Sequence, residues 1–338
     1  MQSIMEGVNT ITISDIAPAS KSSGLRLRPN KTGSKLRNYV KRNYDLYLMS
    51  IPGLLYLVIY KFVPLYGITL AFKDFNLFIA DNVISSVVQS PWVGLKHFER
   101  IFQEAVFLQV ISNTVIISIY KLVFLFPVPI VLAIMMNELR IRWVKRWIQT
   151  IIYLPHFLSW VIIFGLFLTL LGSYGLVNQF FNWFGIETIS FFSDPKWFRS
   201  LLVFTEGWKE AGWNTILFLA ALTAIDPQLY EAAVMDGAGR FRRIWNITLP
   251  GIIPVIMLVF VLRIGSVLNA GFEQVLIMYN PGVYEVADII QTYVYRIGMG
   301  KLDFSLSTAL GLFESVVAFV LILSSNAACK KWMGKSIW

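Results

Sequence analysis

Six apolar runs, near residues 46–70, 108–136, 149–171, 199–222, 251–271 and 305–327, each approach or exceed the roughly 20 residues that a helix needs to cross a bilayer. In hydrocarbon every backbone N–H and C=O must find its partner within the protein, and only helices or closed barrels can span on those terms. Continuous apolar runs of this length predict helices. The expected fold is therefore an all-α integral membrane protein with six transmembrane helices. Composition agrees, because 56% of the residues are hydrophobic and 14% charged, against about a quarter charged in a soluble chain.

The charge pattern orients these runs. Lys21, Arg26, Arg28, Lys31, Lys35, Arg37, Lys41 and Arg42 precede the first run with no acid among them. Basic residues concentrate on the cytoplasmic side of membrane proteins, so the N-terminus is expected inside. Six crossings then bring three further groups to the same side: Arg140, Arg142, Lys145 and Arg146; Arg240, Arg242 and Arg243; and Lys330, Lys331 and Lys335. Both termini are thus expected in the cytoplasm. The net charge of +9 reflects topology and neighbouring membrane lipid, and nucleic acid is not an expected partner. The first twenty residues lack the basic start and apolar core of a signal peptide and read as a retained tail. The expected organisation is a basic cytoplasmic segment over 1–43, a six-span domain over 44–327 interrupted by a loop at 226–250, and a basic tail over 328–338.

Several chemistries are excluded. Cys329 is the single cysteine, so no internal disulfide can form, and His97 and His156 stand far apart without a metal-ligand spacing. Gly334-Lys335-Ser336 resembles the end of a phosphate-binding loop, but Cys329 stands where that loop needs glycine. The chain is not expected to bind ATP, to hold a metal or cofactor, or to be an enzyme. The N-x-T matches at Asn30 and Asn246 fall in expected cytoplasmic segments, which argues against glycosylation.

Charge inside a span is costly and marks either function or pairing. Glu206, Lys209 and Glu210 occupy positions i, i+3 and i+4 of the fourth run, one helical face on which the lysine can neutralise the acids. Trp208, Trp213 and Asn214 stand beside them, Arg263 lies in the fifth run, and Lys61 and Lys121 lie in the first and second. Trp208, Lys209, Glu210, Trp213, Asn214 and Arg263 are the candidates to line a polar pathway. The competing reading is interfacial, with the charges near headgroups, the tryptophans in an aromatic belt and Lys61 snorkelling. The Phe- and Trp-rich segment 177–198 suits a helix lying in the interface or folded against the bundle. Asn280-Pro281-Gly282 marks a turn before a run that can be helical.

The stretch EAAVMDGAGRFRRIWNITLP, residues 231–250, is too polar for lipid. Asp226 followed by Pro227 is a strong helix start, and Gly237 supplies a stop. The expected helix has about ten residues and a length near 15 Å. Ala232 and Ala233 allow another surface to approach closely, while Glu231 and Asp236 offer acceptors. A short rigid helix between two spans is a mechanical coupler.

These residues resemble the EAA motif of permease subunits of ATP-binding-cassette importers, with Glu231, Ala232, Ala233, Asp236, Gly237, Ala238, Ile247, Leu249 and Pro250 at the motif's positions. The stretches PLYGITLAFKDFN, SPWVGLKHFERIF, WKEAGWNTILFLAALTAIDPQLYEAA and GFEQVLIMYNPGVYEVADIIQTYVYRIGM are similar to the polysaccharide-type branch of carbohydrate importers, which includes permeases for alginate and rhamnogalacturonan oligosaccharides. The resemblance begins at about residue 35. It implies a type I importer permease-like bundle in the bacterial cytoplasmic membrane. It also implies a coupling helix, formed by Glu231, Ala232, Ala233, Met235, Asp236, Gly237, Ala238 and Gly239, that docks on a cytoplasmic ATPase. The implied partners are two ATPase subunits carrying ATP and magnesium, a second homologous permease (expected to differ from this chain, as a heterodimer), an external solute-binding protein and an oligosaccharide. A basic group such as Lys209 or Arg263 can favour an acidic sugar, alginate-like or pectin-derived, or can serve only to neutralise a neighbouring acid. The alternative is an ion-coupled secondary transporter, a class that usually carries internal repeats and broken midplane helices; no repeat is evident.

Overall fold

The computed structural model describes residue 39 and residues 42–333. Lys21, Arg26, Arg28, Lys31, Lys35, Arg37, Lys41, Asn30 and residues 334–338, including Lys335, lie outside them. Among the described residues the chain is helical apart from turns and one isolated antiparallel bridge between Lys73 and Trp92. Five helical segments are long and apolar enough to cross a membrane: Tyr44–Phe72, Ala105–Glu138, Trp160–Trp183, Arg240–Gly265 and Phe304–Lys331. The fourth apolar run forms the helix Pro195–Thr223, which meets the same standard only together with Pro227–Met235 across a 71° bend. Its own hydropathy is lowered by Glu206, Lys209, Glu210 and Asn214. The count is therefore five to six spans, against an expectation of six.

Two span boundaries differ from expectation. The third span was expected over 149–171 but runs from Trp160 to Trp183. Residues Arg142–Tyr153 instead form a separate amphipathic helix, followed by the turn Leu154–Phe157 with Pro155 near its start. Proline cannot continue the preceding helix without losing a hydrogen bond. Ser159 then starts the span, its hydroxyl accepting from the Ile162 N–H. The fifth span was expected over 251–271 but enters earlier, at Arg240, and stops at Gly265. Beyond it the chain reverses through Ala270 and Gly271, both left-handed, with φ of 49° and 81°. Hydropathy alone cannot see such breaks, because the residues within them are as apolar as the helices they end.

The chain divides into two compact units at Val63 and Pro64. The first contains the helix Tyr44–Leu57 and the π-turn Val58–Phe62, none of whose residues is buried. In the second, the core forms three apolar clusters. One joins Ile117, Trp160, Phe167, Phe198, Leu202 and Val275; another joins Ile101, Phe107, Ile290, Leu306 and Leu310. The third joins Ala133, Phe218, Leu222 and Ile252, which locks the second, fourth and fifth spans together. Between lipid-solvated helices, close packing and hydrogen bonding replace the hydrophobic drive. The segment 177–198 contributes the helix Leu176–Trp183, and the run after Pro281 contains Tyr284–Ala287 and Ile290–Tyr295. Outside the spans, burial and then the hydrogen bond to Glu104 push the Tyr293 phenol above its ordinary value, so it stays a neutral donor.

Candidate functional site

Lys121 lies midway along the second span, and its ammonium stands 2.5 Å from Oε2 of Glu206 on the Pro195–Thr223 helix. The two side chains are only 8% and 14% exposed, so each charge depends on the other. Lys121 Nζ also donates to the Ala270 carbonyl at 2.8 Å and to Gln274 Oε1 at 2.6 Å. Two of the three ammonium donors are thus hydrogen-bonded, and Glu206 neutralises the charge by proximity. Gln274 Nε2 donates onward to the Leu202 carbonyl and to Thr205 Oγ1, each at 2.7 Å. One lysine thereby ties the second span, the fourth helix and the short helix Phe272–Met278 into a single network.

The turn at 270–271 explains why glycine stands at the second position. A Cβ on Gly271 would lie 2.4 Å from Lys121 Nζ and 3.3 Å from Glu206 Oε2, and its φ of 81° disfavours any side chain. The backbone must approach the ion pair this closely for Ala270 to accept from the ammonium.

The pair forms one wall of a cavity of about 190 Å³ that is also lined by Ser118, Phe126, Asn214, Phe218, Val259, Arg263, Ser266 and Asn269. Asn214 and Arg263 are thus brought together beside Lys121 and Glu206. The cavity wall carries two cations against one carboxylate. Its volume falls below the roughly 300–1,000 Å³ of a pocket that encloses a small ligand.

The other four pathway candidates lie in a separate cluster and do not line this cavity. Lys209 Nζ donates to the carbonyls of His156 and Leu158 at 2.6 and 2.9 Å, satisfying the turn that precedes the third span. Glu210 stands 3.5 Å from Lys209 and 2.9 Å from Nδ1 of His156. The His156 ring stacks on Trp213 at 4.3 Å, and Trp208 meets the Phe167 ring edge-on at 5.5 Å. The expectation that Lys209 neutralises both acids holds only for Glu210, since Glu206 takes its counter-ion from Lys121. Glu206 and Lys121 were visible as membrane charges, but nothing in the sequence paired them.

The loop after the fourth helix forms a second unit of the site. Asp226 caps the helix Pro227–Met235 by accepting from the Gln228 N–H, with Pro227 at the first helical position. At the other end Ala238 N–H reaches the Ala233 carbonyl at 2.8 Å and Gly237 N–H reaches Val234 at 3.0 Å. This six-to-one and five-to-two pair is a Schellman motif, and it requires the left-handed Gly237, at φ 73°. Tyr230 and Thr248 hydroxyls lie 3.0 Å apart, fastening the helix to the start of the fifth span. Arg240 stands 3.5 Å from Glu138 at the end of the second span. Glu231, Ala232, Met235, Asp236, Gly237 and Gly239 are exposed, and Ala233 and Ala238 half-buried. Met235 is 86% exposed and Phe241, in the following turn Arg240–Arg243, 81%, so the loop presents apolar knobs beside its acids.

Residues 126–330 match the family described as binding-protein-dependent transport system inner membrane component. Over 323 residues the chain is 43% identical to the polygalacturonan/rhamnogalacturonan transport system permease protein YteP of Bacillus subtilis (strain 168), covering 95% of this chain and 98% of that one. It superposes with a TM-score of 0.81, at 39% identity, on a chain of a bacterial ABC transporter involved in the import of the acidic polysaccharide alginate, covering 88% of this chain and 99% of that one. A chain of the bacterial alginate transporter in complex with an alginate pentasaccharide-bound periplasmic protein gives the same TM-score at 38% identity, covering 90% and 100%.

Proposed function

Because this chain belongs to the family of binding-protein-dependent transport system inner membrane components, we propose that it forms half of the pathway of an ATP-driven importer for an acidic oligosaccharide, pectin-derived or alginate-like. It is the non-catalytic, multi-pass subunit of such a system in the inner membrane. ATP and magnesium belong to two cytoplasmic ATPase subunits, and an external solute-binding protein delivers the sugar. Both termini face the cytoplasm.

The observation that carries this reading is the helix Pro227–Met235, capped at both ends, fastened by Tyr230 and yet exposed along its length. Glu231, Ala232, Ala233, Met235, Asp236, Gly237, Ala238 and Gly239 form the surface that seats on the ATPase. A helix that flexed would dissipate the ATPase motion. One held to the fifth span through Thr248, with the loop tied to the second through Glu138, passes it to the walls of the cavity. The cavity is too small for an oligosaccharide, which favours a pathway completed by a second permease. The substrate class is supported by the names of the two kinds of relative and by the excess positive charge of the cavity wall.

The test is reconstitution of the chain with its partner permease, ATPase and binding protein in proteoliposomes. Trigalacturonate is expected to stimulate ATP hydrolysis only when the binding protein is present. Uptake that needs no ATPase and collapses with an ionophore would instead establish a secondary transporter. Mass spectrometry of the natively purified complex identifies the second permease and the stoichiometry.

A further inference from the structure

We propose that Arg263 is the residue that reads the sugar's carboxylate in the pathway, through a two-pronged hydrogen bond to a single uronate unit. This rests on the acidic-oligosaccharide reading above and sharpens it to one side chain.

The argument is one of occupied donors. Three basic residues come into question: Lys121 and Arg263 in the cavity wall, and Lys209 one turn beyond Glu206 on the same helix. Lys121 is neutralised by its ion pair with Glu206 and donates to Ala270 and Gln274. Lys209 is 7% exposed, lies outside the cavity lining, and is engaged by two carbonyls and Glu210. Arg263 lines the cavity, and among the described residues no acid or other acceptor takes its guanidinium. Its five donors in a planar fork match the two oxygens of a carboxylate. A neutral sugar leaves that fork unmatched, whereas a uronate neutralises the surplus cation of the wall. Arg263 stands near the end of the fifth span, where an arginine can also reach a lipid phosphate. It nevertheless shares its cavity with Lys121 and Glu206, at mid-span, which favours an occupant from the pathway.

The experiment measures equilibrium binding to the purified complex of permeases and ATPases without the solute-binding protein, whose own selectivity would otherwise intrude. The probes are trigalacturonate and its fully methyl-esterified form. The wild-type complex is expected to prefer the acid. R263Q is expected to weaken acid binding roughly ten- to hundredfold, the scale of a charge-assisted hydrogen bond, while ester binding stays unchanged. R263K, which keeps the charge but loses the fork, is expected to fall between them. Equal loss of acid and ester in R263Q overturns the inference in favour of a structural role. Acid and ester binding both unchanged in R263Q overturns it in favour of a lipid anchor. A wild-type complex that binds acid and ester alike overturns the acidic-substrate reading itself, and this inference with it.

Discussion

Lys121 and Glu206 hold their charges 2.5 Å apart between the second and fourth spans, and the same lysine grips the carbonyl of Ala270 and the amide of Gln274. The ion pair is therefore also a clasp on the turn that leads out of the fifth span. Left-handed Ala270, at φ 49°, costs about 1–3 kcal/mol and persists only where its surroundings hold it; the hydrogen bond from the ammonium helps to do so.

Breaking one side of this pair leaves a buried charge alone. Lys121→Met or Glu206→Ala is expected to destabilise the purified complex by about 3–5 kcal/mol. The double variant should lose much less than the sum of the two. Thermal unfolding of the four species in a double-mutant cycle measures the coupling, and strict additivity would mean that the charges do not act together.

Gly271→Ala places a methyl group against Lys121 Nζ and forces a side chain into left-handed backbone. A destabilisation of about 1–3 kcal/mol with loss of transport is expected. Gly311→Ala, where a Cβ meets nothing within 4 Å, is the control and should leave the thermal midpoint unchanged or slightly raised. Equal behaviour of the two variants would remove the clasp from the argument.

On the helix Pro227–Met235, proposed to couple to the ATPase, Glu231→Lys is expected to abolish sugar-stimulated ATPase activity and uptake while the chain still folds, and to reduce ATPase co-purification. Gly237→Val is expected to do the same by a different route, since the Schellman stop needs left-handed backbone at that position. Binding of the loaded solute-binding protein to the complex should persist in both. Normal stimulated hydrolysis in either variant would show that this helix does not transmit the motion.

The Tyr230–Thr248 contact makes a graded prediction. Tyr230→Phe removes one hydrogen bond, worth about 0.5–1.5 kcal/mol, and keeps the ring. Transported sugar per ATP hydrolysed is expected to fall without loss of ATPase binding. An unchanged ratio in proteoliposomes would make the contact merely structural.

Much of this protein was legible before any coordinates. Long apolar runs, basic flanks and the polar stretch at 231–250 announced a helical membrane subunit with a short exposed helix between two spans. The cap at Asp226 and the stop at Gly237 lie where local chemistry puts them. Hydropathy and helix capping are short-range properties, each decided within a window of one or two turns.

The site was legible only in part. Asn214 and Arg263 do meet at the cavity, but Lys209, Glu210 and Trp213 turn to His156 and Trp208 packs on Phe167. Which acid Lys209 faces, and whether Lys121 is free or engaged, depends on what packs against each helix. Sequence by itself determined that these charges must be paired or wetted, because isolated charge is costly in hydrocarbon. Only the tertiary structure decided which partner each one has, because helix packing brings together side chains remote in the chain, and this leaves Arg263 as the cavity cation without a protein acceptor among the described residues.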